Sequence, residues 1–454
     1  MGIYSRVVAS ALFPLHERLK GHSTNRVFRE LEETQWLSPE ALSQLTSEKL
    51  AEFLSHLESN VPYYRDVFAR VGYSARDYAG LDDLRKLPIL TKSLIRENTE
   101  ALRADNAAPL ARFNTGGSSG EPLIFFLGKE RVSHDVAAKR RATRWWNVDI
   151  GDRELVVWGS PIELGSQDRI RLLRDSLFRS ELLPAFEMSE ENLDRFVERI
   201  RAYRPRMLFG YPSSLALIAR HAQKRGVDLA SLGIRVAFVT SERLYDEQRA
   251  DIEAVMGCPV ANGYGGRDAG FIAHECPEGS LHITAEDIIV EIVDEQGAPL
   301  PTGQSGEIVV THLHTRDYPF LRYRTGDVGA LSSTPCACGR GLPVLERIEG
   351  RTTDFVVAQD GTILHGLSLI YVLRDIDGVG EFRIEQETVD RVTVKLVENE
   401  PLAETVDATI VNEFRKRLGA TVDVVIARVD AIPREGSGKH RYVVSQVKGA
   451  GARA

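Results

Sequence analysis

The sequence predicts a large α/β domain followed by a small, mobile α+β domain. The chain has 454 residues, which is too many for one compact core. From Ala111 to about Glu349, β-branched runs alternate with helical patterns, as in parallel sheets covered by helices. Beyond Gly350 the pattern becomes strand, strand, helix, strand, which fits a module of about a hundred residues.

The first region, residues 1–110, is predicted to be helical and to brace the large domain. Ser38 has the properties of an N-cap, Pro39 occupies the first helical position, and Leu50 and Phe53 follow at helical spacing. A short apolar run near the N-terminus continues into charged residues without a small-residue cleavage site. We therefore expect an amphipathic first helix rather than a signal peptide.

The second region, residues 111–349, contains the alternating pattern and should hold the binding site. Ligands on parallel sheets bind beyond the carboxyl ends of the strands. After Leu281, tight-turn sequences separate the apolar runs, which predicts a small antiparallel, β-barrel-like subdomain. The predicted parallel strands are Glu154–Trp158, Arg206–Gly210 and Ile234–Thr240, and a helix is predicted over Glu247–Met256.

Residues 350–446 form the predicted small C-terminal domain, and residues 447–454 form a tail. The composition is typical of a globular protein, with 43% hydrophobic and 27% charged residues. The net charge of −8 favours neither a nucleic acid nor an anionic membrane as a partner. Because no apolar stretch is long enough to span a bilayer and the four cysteines do not form a disulfide framework, we expect a cytoplasmic protein.

Residues 114–122, Asn-Thr-Gly-Gly-Ser-Ser-Gly-Glu-Pro, have the composition of an anion-binding loop. The glycines permit positive φ and a close approach to a ligand, and Thr115, Ser118 and Ser119 supply hydroxyl donors. The Walker pattern is absent, because Gly120 is followed by Glu-Pro and an apolar run instead of Lys-Ser or Lys-Thr and a helix. Alone, the segment is more typical of a flexible hairpin loop. Distant segments with related chemistry favour phosphate binding.

Three of those segments offer groups that suit a nucleotide. In Tyr264-Gly265-Gly266-Arg267-Asp268, a ring at a strand end could stack on a base, and the carboxylate after a flexible turn could hold a metal ion that bridges phosphates. Asp327, after a turn that leaves a strand, could accept hydrogen bonds from both ribose hydroxyls. Lys439, in a glycine-flanked loop, could reach negative charge developing on phosphate. The alternatives are a strand-end tyrosine, an aspartate capping its own turn and a solvated lysine.

The order and spacing of these motifs resemble the adenylate-forming superfamily of acyl-CoA synthetases, adenylation domains and luciferases. Further segments are similar to its phenylacetate-CoA ligase branch and closest to relatives in capsular-polysaccharide and natural-product gene clusters. The likeness extends from about residue 30 to 446. The segments similar to the branch are Val61-Pro62-Tyr63-Tyr64-Arg65, Leu87-Pro88-Ile89-Leu90-Thr91-Lys92, Gly210-Tyr211-Pro212-Ser213-Ser214 and Cys336-Ala337-Cys338-Gly339-Arg340.

The resemblance implies ATP as a substrate and Mg²⁺ as a cofactor, and it implies a role for each motif. Lys439 would contact the α-phosphate and carboxylate during adenylation, and Asp268, where the family usually has glutamate, would have a shorter reach to metal or phosphate. Thr353 and Asp354 would be hinge residues about which the small domain rotates between two reaction steps. The residues implied to bind the nucleotide are Thr115, Gly116, Gly117, Ser118, Ser119, Gly120, Ser241, Glu242, Tyr264, Gly265, Asp327 and Arg351.

Three of the four cysteines suggest a structural Zn²⁺ site. Cys276, Cys336, Cys338 and His282 would complete a closed tetrahedral set, for which the family segment favours His282 over the nearby His274. Unrelated reduced thiols and a redox pair of Cys336 and Cys338 are the alternatives. The fourth cysteine, next to a proline at a strand start, is more typical of a core residue.

The function implied is an ATP-dependent ligase that adenylates a carboxylic acid and transfers the acyl group to coenzyme A. The chain reads Phe-Val-Val-Ala-Gln-Asp-Gly at 355–361, without the glycine- and asparagine-rich strand of phenylacetate-CoA ligases, so an amine or hydroxyl acceptor is an alternative. A non-catalytic nucleotide-binding protein is the alternative of another class. Tyr211, Pro212 and Tyr264 suggest a pocket that tolerates aromatic acids, with contact to the adenine as the alternative role of these aromatic residues. The resemblance also favours a homodimer.

Overall fold

The computed structural model describes most of the chain. The described residues are 2–114, 123–158, 169–185, 187–242, 244–294, 296–348, 355–374, 376, 378–398, 400–403, 405–432 and 443–447. Within these ranges, no helix combines the length and the apolar character needed to cross a bilayer.

The N-terminal region is helical, as predicted. The Ser38 hydroxyl accepts a hydrogen bond from the Ala41 amide at 3.2 Å, which caps the longest of these helices. The backbone of Leu90 bonds to Arg322 and Arg324 at 2.9 Å, so this region adds a short bridge to the central sheet. The helices are α1 (Ile3–Val7), a π-helical turn (Val8–Leu12), α2 (Phe13–Lys20), α3 (Thr24–Thr34), α4 (Pro39–Asn60), α5 (Pro62–Val71) and α6 (Lys92–Glu97), with 3₁₀ turns at Ala75–Asp77 and Leu81–Lys86.

A hairpin and an eleven-stranded mixed sheet follow. Strands β1 (Ala111–Asn114) and β2 (Ile124–Leu127) pair antiparallel on either side of the glycine-rich segment. The large sheet has the order β11-β12-β13-β14-β10-β9-β8-β7-β6-β3-β4. Its strands are β3 (Glu154–Trp158), β4 (Ser180–Pro184), β6 (Met207–Gly210), β7 (Val236–Thr240), β8 (Val260–Gly266), β9 (Gly270–Glu275), β10 (Leu281–Ile283), β11 (Ile288–Val293), β12 (Gly306–His312), β13 (Tyr323–Leu331) and β14 (Val344–Ile348).

The two halves of this sheet differ in direction. Strands β4, β3, β6, β7 and β8 are parallel, and the other strands are antiparallel, as the sequence predicts. The predicted barrel-like part is not a separate sheet, because β9 pairs with β8 and joins it to the parallel half. The helices of this region are α7 (Lys129–Trp145), α8 (Arg169–Phe178), α9 (Glu190–Tyr203), α10 (Pro212–Lys224) and α11 (Asp246–Met256).

Apolar cores lie on both faces of the parallel half. On one face, Leu155 and Val157 pack against α9 and α10 through residues such as Phe196 and Leu215. On the other face, Phe209 and Phe238 join a core shared with α4, α5 and the antiparallel strands. Burial on both faces explains why the parallel strands are continuous apolar runs in the sequence.

The small α+β domain follows the large sheet. A four-stranded sheet has the order β19-β18-β17-β20, and β15 and β16 form a separate three-stranded sheet with β5 (Glu187–Met188), which lies before α9 in the chain. This pairing crosses the predicted domain boundary. The elements are β15 (Phe355–Val357), β16 (Ile363–His365), α12 (Leu367–Arg374), β17 (Val379–Thr388), β18 (Arg391–Glu398), α13 (Thr405–Leu418), β19 (Asp423–Arg428) and β20 (Val443–Ser445).

Candidate active site

The curl of the large sheet brings two distant motifs together. The Tyr264 hydroxyl on β8 donates to Asp327 Oδ2 on β13 at 3.0 Å, although 63 residues separate them. Four strand spacings lie between β8 and β13 in the sheet order, which would be roughly 19 Å if the sheet were flat. The antiparallel half therefore curls back over the end of β8, which brings the ring and the carboxylate together.

The sequence prediction of a flexible turn after Tyr264 is wrong. Strand β8 continues through Gly266, because Gly265 pairs with Phe271 of β9. A side chain at Gly265 would place Cβ 2.2 Å from the carbonyl oxygen of Gly270. Only glycine therefore permits this approach of the two strands, and the turn itself begins at Arg267.

Asp327 also differs from the prediction, because it lies inside a strand rather than after one. The pairing of β12 with β13 shifts between Glu307↔Val328 and Val309↔Arg324, so β13 bulges here. Gly326 has φ +82°, which only glycine adopts readily. The Asp327 amide donates to Thr325 Oγ1 at 3.1 Å, so the bulge fixes the backbone from which this carboxylate projects.

Asp268 lies in the turn between β8 and β9, where hydrogen bonds orient both of its carboxylate oxygens. The Tyr323 hydroxyl donates to Asp268 Oδ2 at 2.5 Å, and the Ala269 amide donates to Oδ1 at 3.1 Å. Each carboxylate oxygen has a further lone pair, so neither bond excludes a cation ligand. This carboxylate can therefore hold Mg²⁺, although its reach is one methylene shorter than that of glutamate.

A buried ion-pair network, which the sequence analysis missed, supports this turn. Arg131 is 1% exposed and donates to the backbone carbonyls of Asp268 and Arg267 at 3.4 and 3.5 Å. Asp135 Oδ2 accepts a hydrogen bond from Arg131 Nε at 2.8 Å and forms an ion pair with it. Burial opposes the charge on Asp135, but Arg131 and His312 outweigh it and hold the pKa of this carboxyl below its usual range. The i,i+4 spacing of Arg131 and Asp135 was visible in the sequence. The burial of Arg131 and its contact with the β8 to β9 turn were not.

The predicted residues after β7 lie beside the start of α10. Ser241 has φ +72°, an uncommon conformation for a residue other than glycine. Glu242 Oε2 accepts a hydrogen bond from the Ser213 hydroxyl at 2.5 Å. The structure therefore positions Glu242 through a serine of the Gly210–Ser214 motif.

Aromatic rings stack at the carboxyl ends of the parallel strands. Trp158 lies 4.4 Å from Tyr211 between ring centroids, with an angle of 24° between their planes. Phe209 stacks on Trp158 at 6.0 Å and on Phe238 at 5.9 Å. These rings form an apolar wall at the edge of the sheet where ligands bind.

Part of the predicted site lies outside the described residues. Those predictions concern Thr115, Gly116, Gly117, Ser118, Ser119, Gly120, Arg351, Thr353, Asp354 and Lys439.

The structure brings the four predicted metal ligands together. Cys276, His282, Cys336 and Cys338 each offer a ligand atom within 4.8 Å of the others. Cys338 Sγ lies 3.2 Å from His282 Nε2, and the two sulfur atoms of Cys276 and Cys336 are 3.6 Å apart. His282 Nδ1 lies 3.2 Å from the Leu342 carbonyl, which accepts its proton and leaves Nε2 for a metal. The donor set fits tetrahedral Zn²⁺ with no open position.

Burial controls the protonation of these ligands. It lowers the pKa of His282 to about 4, which keeps the imidazole neutral, and it raises the pKa of the Cys276 thiol to about 12. Burial also raises the pKa of Cys336, but hydrogen bonds from Ser280 and from the Cys338 amide outweigh it, and the net shift is downward. Metal binding at this site would therefore displace a proton from Cys276.

The nearby His274 and the fourth cysteine lie outside this cluster. His274 pairs with His282 across β9 and β10, but it does not belong to the four-residue cluster. Its ring is buried against Phe271 and Phe238, and this burial lowers its pKa to about 3. The fourth cysteine, Cys258, is 5% exposed and packs in the core beside α9 to α11.

A second group of potential metal ligands consists of Glu130, His134 and His314. The two imidazole rings stack face to face, with centroids 3.5 Å apart and planes 11° apart. Both rings face the same carboxylate oxygen, because His134 Nδ1 lies 2.8 Å and His314 Nε2 lies 3.4 Å from Asp287 Oδ1. Burial opposes the charge on Asp287, but the two imidazoles outweigh it and hold its pKa well below its usual range. We interpret this group as an ion-pair network.

Comparisons with known families and proteins found several matches. The AMP-binding enzyme family matches residues 182–315, and the CapK C-terminal domain family matches residues 356–446. Protein CapK of Staphylococcus aureus is 24% identical over 418 residues, which cover 90% of each chain. Phenylacetate-coenzyme A ligase of Thermus thermophilus is 26% identical over 455 residues, covering 91% of this chain and 98% of that protein.

A solved structure of 2-hydroxyisobutyryl-CoA ligase, in complex with 2-HIB-AMP and CoA, is similar in fold. It has a TM-score of 0.63 and 20% sequence identity, and the match covers 89% of each chain. This likeness shows the fold, and the matched families with the curated relatives identify the chain as an adenylate-forming carboxylate ligase. Within that superfamily the chain is similar to phenylacetate-CoA ligases and to CapK.

Proposed function

We propose that this enzyme joins a carboxylic acid to ATP as an acyl-adenylate and then transfers the acyl group to coenzyme A. The observation that carries the proposal is the contact of Tyr264 with Asp327 beside the oriented carboxylate of Asp268. In the first step a carboxylate oxygen bonds to the α-phosphorus, and the bond to pyrophosphate breaks. In the second, the thiol of coenzyme A loses its proton, its sulfur bonds to the acyl carbon, and AMP leaves.

Each described residue has a role in this proposal. The Tyr264 ring stacks on adenine, and Ser241 and Glu242 line the same pocket. Asp327 accepts hydrogen bonds from the ribose hydroxyls. Among the residues that the structure describes, Asp268 is the candidate ligand for Mg²⁺. When bound, this ion would neutralise charge on the phosphates and the leaving group.

The remaining roles concern residues outside the described part of the chain. We propose that the segment Thr115 to Gly120 donates hydrogen bonds to phosphate oxygens and that Lys439 offsets the charge near the α-phosphate. The domain of residues 350–446 would act as a lid that turns about Thr353 and Asp354, with Arg351 at the hinge. Such a movement would remove Lys439 before the acceptor attacks.

The acid that fits best carries an aromatic or other flat apolar group. Its support is the stack of Trp158 on Tyr211 at the carboxyl ends of β3 and β6, next to the predicted nucleotide site. We expect Tyr211→Ala to raise KM for the acid while leaving KM for ATP nearly unchanged.

The test is carboxylate-dependent exchange of labelled pyrophosphate into ATP across a panel of acids. Wild type should exchange with some aromatic or apolar acid, and Lys439→Ala should lose exchange while a matched surface variant, Lys416→Ala, keeps it. Lys416 is 69% exposed and belongs to the same small domain. ATP binding without exchange for any acid would contradict the proposal and favour a non-catalytic nucleotide-binding protein.

The same reactions, repeated with an acceptor, test the second step. Mass spectrometry should find an acyl-CoA thioester when coenzyme A is present. Exchange without a thioester, but with product formed on an added amine or alcohol, would retain the adenylation step and replace coenzyme A as the acceptor.

A further inference from the structure

The N-terminal helical segment, from α1 through the π-helical turn to α2, has two apolar sides. One side packs on the large domain, where the Ser5 hydroxyl donates to Asp152 at 2.7 Å and Phe13 meets Phe178 edge to face at 5.8 Å. Val8 is 0% exposed on this side. The segment is therefore anchored to the protein through one side only.

The opposite side presents apolar residues to solvent at positions 3, 7, 11, 15 and 19, of which position 11 is an alanine. Ile3, Val7, Leu15 and Leu19 are 83%, 48%, 56% and 80% exposed. A spacing of four residues drifts around an α-helix by about 40° per step, and the wider π-helical turn between Val7 and Leu15 reduces this drift. These side chains consequently form one stripe along the segment.

Helix α8 extends this stripe into a patch. The Tyr4 hydroxyl donates to the Leu177 carbonyl at 2.8 Å, so the two elements lie side by side. Twelve large apolar side chains are exposed in the described part of the chain, and eight of them belong to these two elements. They are Ile3, Tyr4, Val7, Leu12, Leu15, Leu19, Leu173 and Leu177, which we call the N-terminal patch.

The segments that carry the patch are basic in a chain that is acidic overall. Residues 2–20 contain three Arg or Lys residues and one acid, and residues 169–179 contain four Arg residues and one acid. They therefore carry a net charge of +5, whereas the whole chain carries −8. The one acid of the first segment, Glu17, is 4% exposed and faces Thr24 and His22, so the exposed charges there, Arg6, Arg18 and Lys20, are all positive.

We propose that the N-terminal patch binds the surface of an anionic phospholipid bilayer, with its helices lying in the interface. Exposed leucines beside arginine and lysine on an amphipathic helix are the features that bind such a surface. A second copy of the chain fits less well, because a twofold contact through this patch would bring together two pairs of segments that are basic in sequence.

Vesicle flotation tests this proposal with the full chain. Wild type should float with vesicles of phosphatidylcholine and phosphatidylglycerol, bind phosphatidylcholine alone much more weakly, and dissociate as salt is raised. The double variant Leu15→Glu, Leu19→Glu should lower the bound fraction about tenfold. Val71→Glu, at another exposed apolar position, should not change it.

Two control measurements separate the alternatives. Circular dichroism should be the same for both variants and wild type, which excludes unfolding as the cause of lost binding. Absence of wild-type binding to anionic vesicles would overturn the proposal. If wild type does not bind vesicles but forms a concentration-dependent dimer, and the double variant is monomeric, the patch binds a second copy of the chain instead.

Discussion

At the residue scale, the hydroxyl of Tyr323 determines where the carboxylate of Asp268 points. The two are 55 residues apart in sequence and 2.5 Å apart in the structure. A hydrogen bond to a charged group contributes about 1.5–3 kcal/mol. If Asp268 holds Mg²⁺ as we propose, this bond sets the orientation from which its short side chain reaches the ion.

The variant Tyr323→Phe tests this role. We expect the rate of pyrophosphate exchange to fall about tenfold or more, because the carboxylate loses its donor, and we expect exchange to require more Mg²⁺. Tyr78→Phe is a suitable control, since that hydroxyl bonds to Ser47 outside this site. Unchanged exchange and Mg²⁺ dependence in Tyr323→Phe would show that Asp268 does not need this bond.

Asp327 should determine selectivity for the sugar of the nucleotide. A carboxylate that accepts hydrogen bonds from both ribose hydroxyls loses one of them with 2′-deoxy-ATP, at a cost of about 1.5–3 kcal/mol. We expect wild type to prefer ATP over 2′-deoxy-ATP by about tenfold or more in kcat/KM, and Asp327→Asn to reduce this preference. If the variant discriminates as wild type does, the ribose lies elsewhere.

The sequence predicted the chemical groups of the site better than their supports. Tyr264, Asp268 and Asp327 were identified from their motifs, and the structure brings them close together. Arg131, which donates to the turn that contains Asp268, was not identified. Its contact depends on tertiary packing between α7 and the β8 to β9 turn, which local sequence patterns do not encode.

At the element scale, the cysteine and histidine cluster connects two separate stretches of chain. Cys276 and His282 flank the turn between β9 and β10, whereas Cys336 and Cys338 lie between β13 and β14. A bound Zn²⁺ would cross-link these connections, because a metal held only by the folded chain adds its binding free energy to the stability of the fold.

We expect the purified protein to contain one Zn²⁺ per chain, measured by elemental mass spectrometry. Cys336→Ser with Cys338→Ser should abolish it and lower the unfolding temperature, and a strong chelator should lower the unfolding temperature of wild type similarly. Cys258→Ala, in the core, should retain the metal. Full zinc content in the double variant would exclude this ligand set.

Local patterns were reliable for regular elements and failed at one glycine-containing segment at the site. The helix after Ser38 and the strand Glu154–Trp158 were confirmed. The segment Tyr264–Gly266 has the composition of a loop, yet it forms the end of β8 because β9 pairs with it. Tertiary pairing therefore overrides intrinsic propensity at the point where the site is built.

At the scale of the whole molecule, a strand pairing connects the large and small domains. Met188 lies opposite Ile363, and Glu187 lies opposite Leu364. The proposed rotation of the small domain would have to break or move this pairing, since β5 lies in the large domain and β16 in the small one. A covalent bond that fixes this strand pairing should therefore allow one half-reaction and block the other.

A disulfide between Met188→Cys and Ile363→Cys provides this arrest. We expect the oxidised protein to retain either pyrophosphate exchange or acyl transfer from added acyl-adenylate, and to lose the other about a hundredfold until a reductant is added. Met188→Cys alone is the control for oxidation of other thiols. Full rates for both half-reactions in the cross-linked protein would exclude the rotation.

The fold class was predicted correctly, but the continuity of the central sheet was not. Alternating strands and helices indicated the parallel half, and tight turns indicated the antiparallel half. Their union through β8 and β9 depends on pairing between elements, and the curl that brings β13 back to β8 depends on every strand between them. Such long-range geometry leaves no periodic signal in a single sequence.

The curl of the sheet also has a consequence for how the chain folds. The two tyrosine–aspartate contacts close loops of 55 and 63 residues, so they form only after the antiparallel strands have assembled in order. During refolding, the ability to bind nucleotide should therefore appear later than the bulk of the secondary structure. Binding of a fluorescent ATP analogue would consequently follow the formation of these two contacts, and not the earlier hydrophobic collapse of the chain.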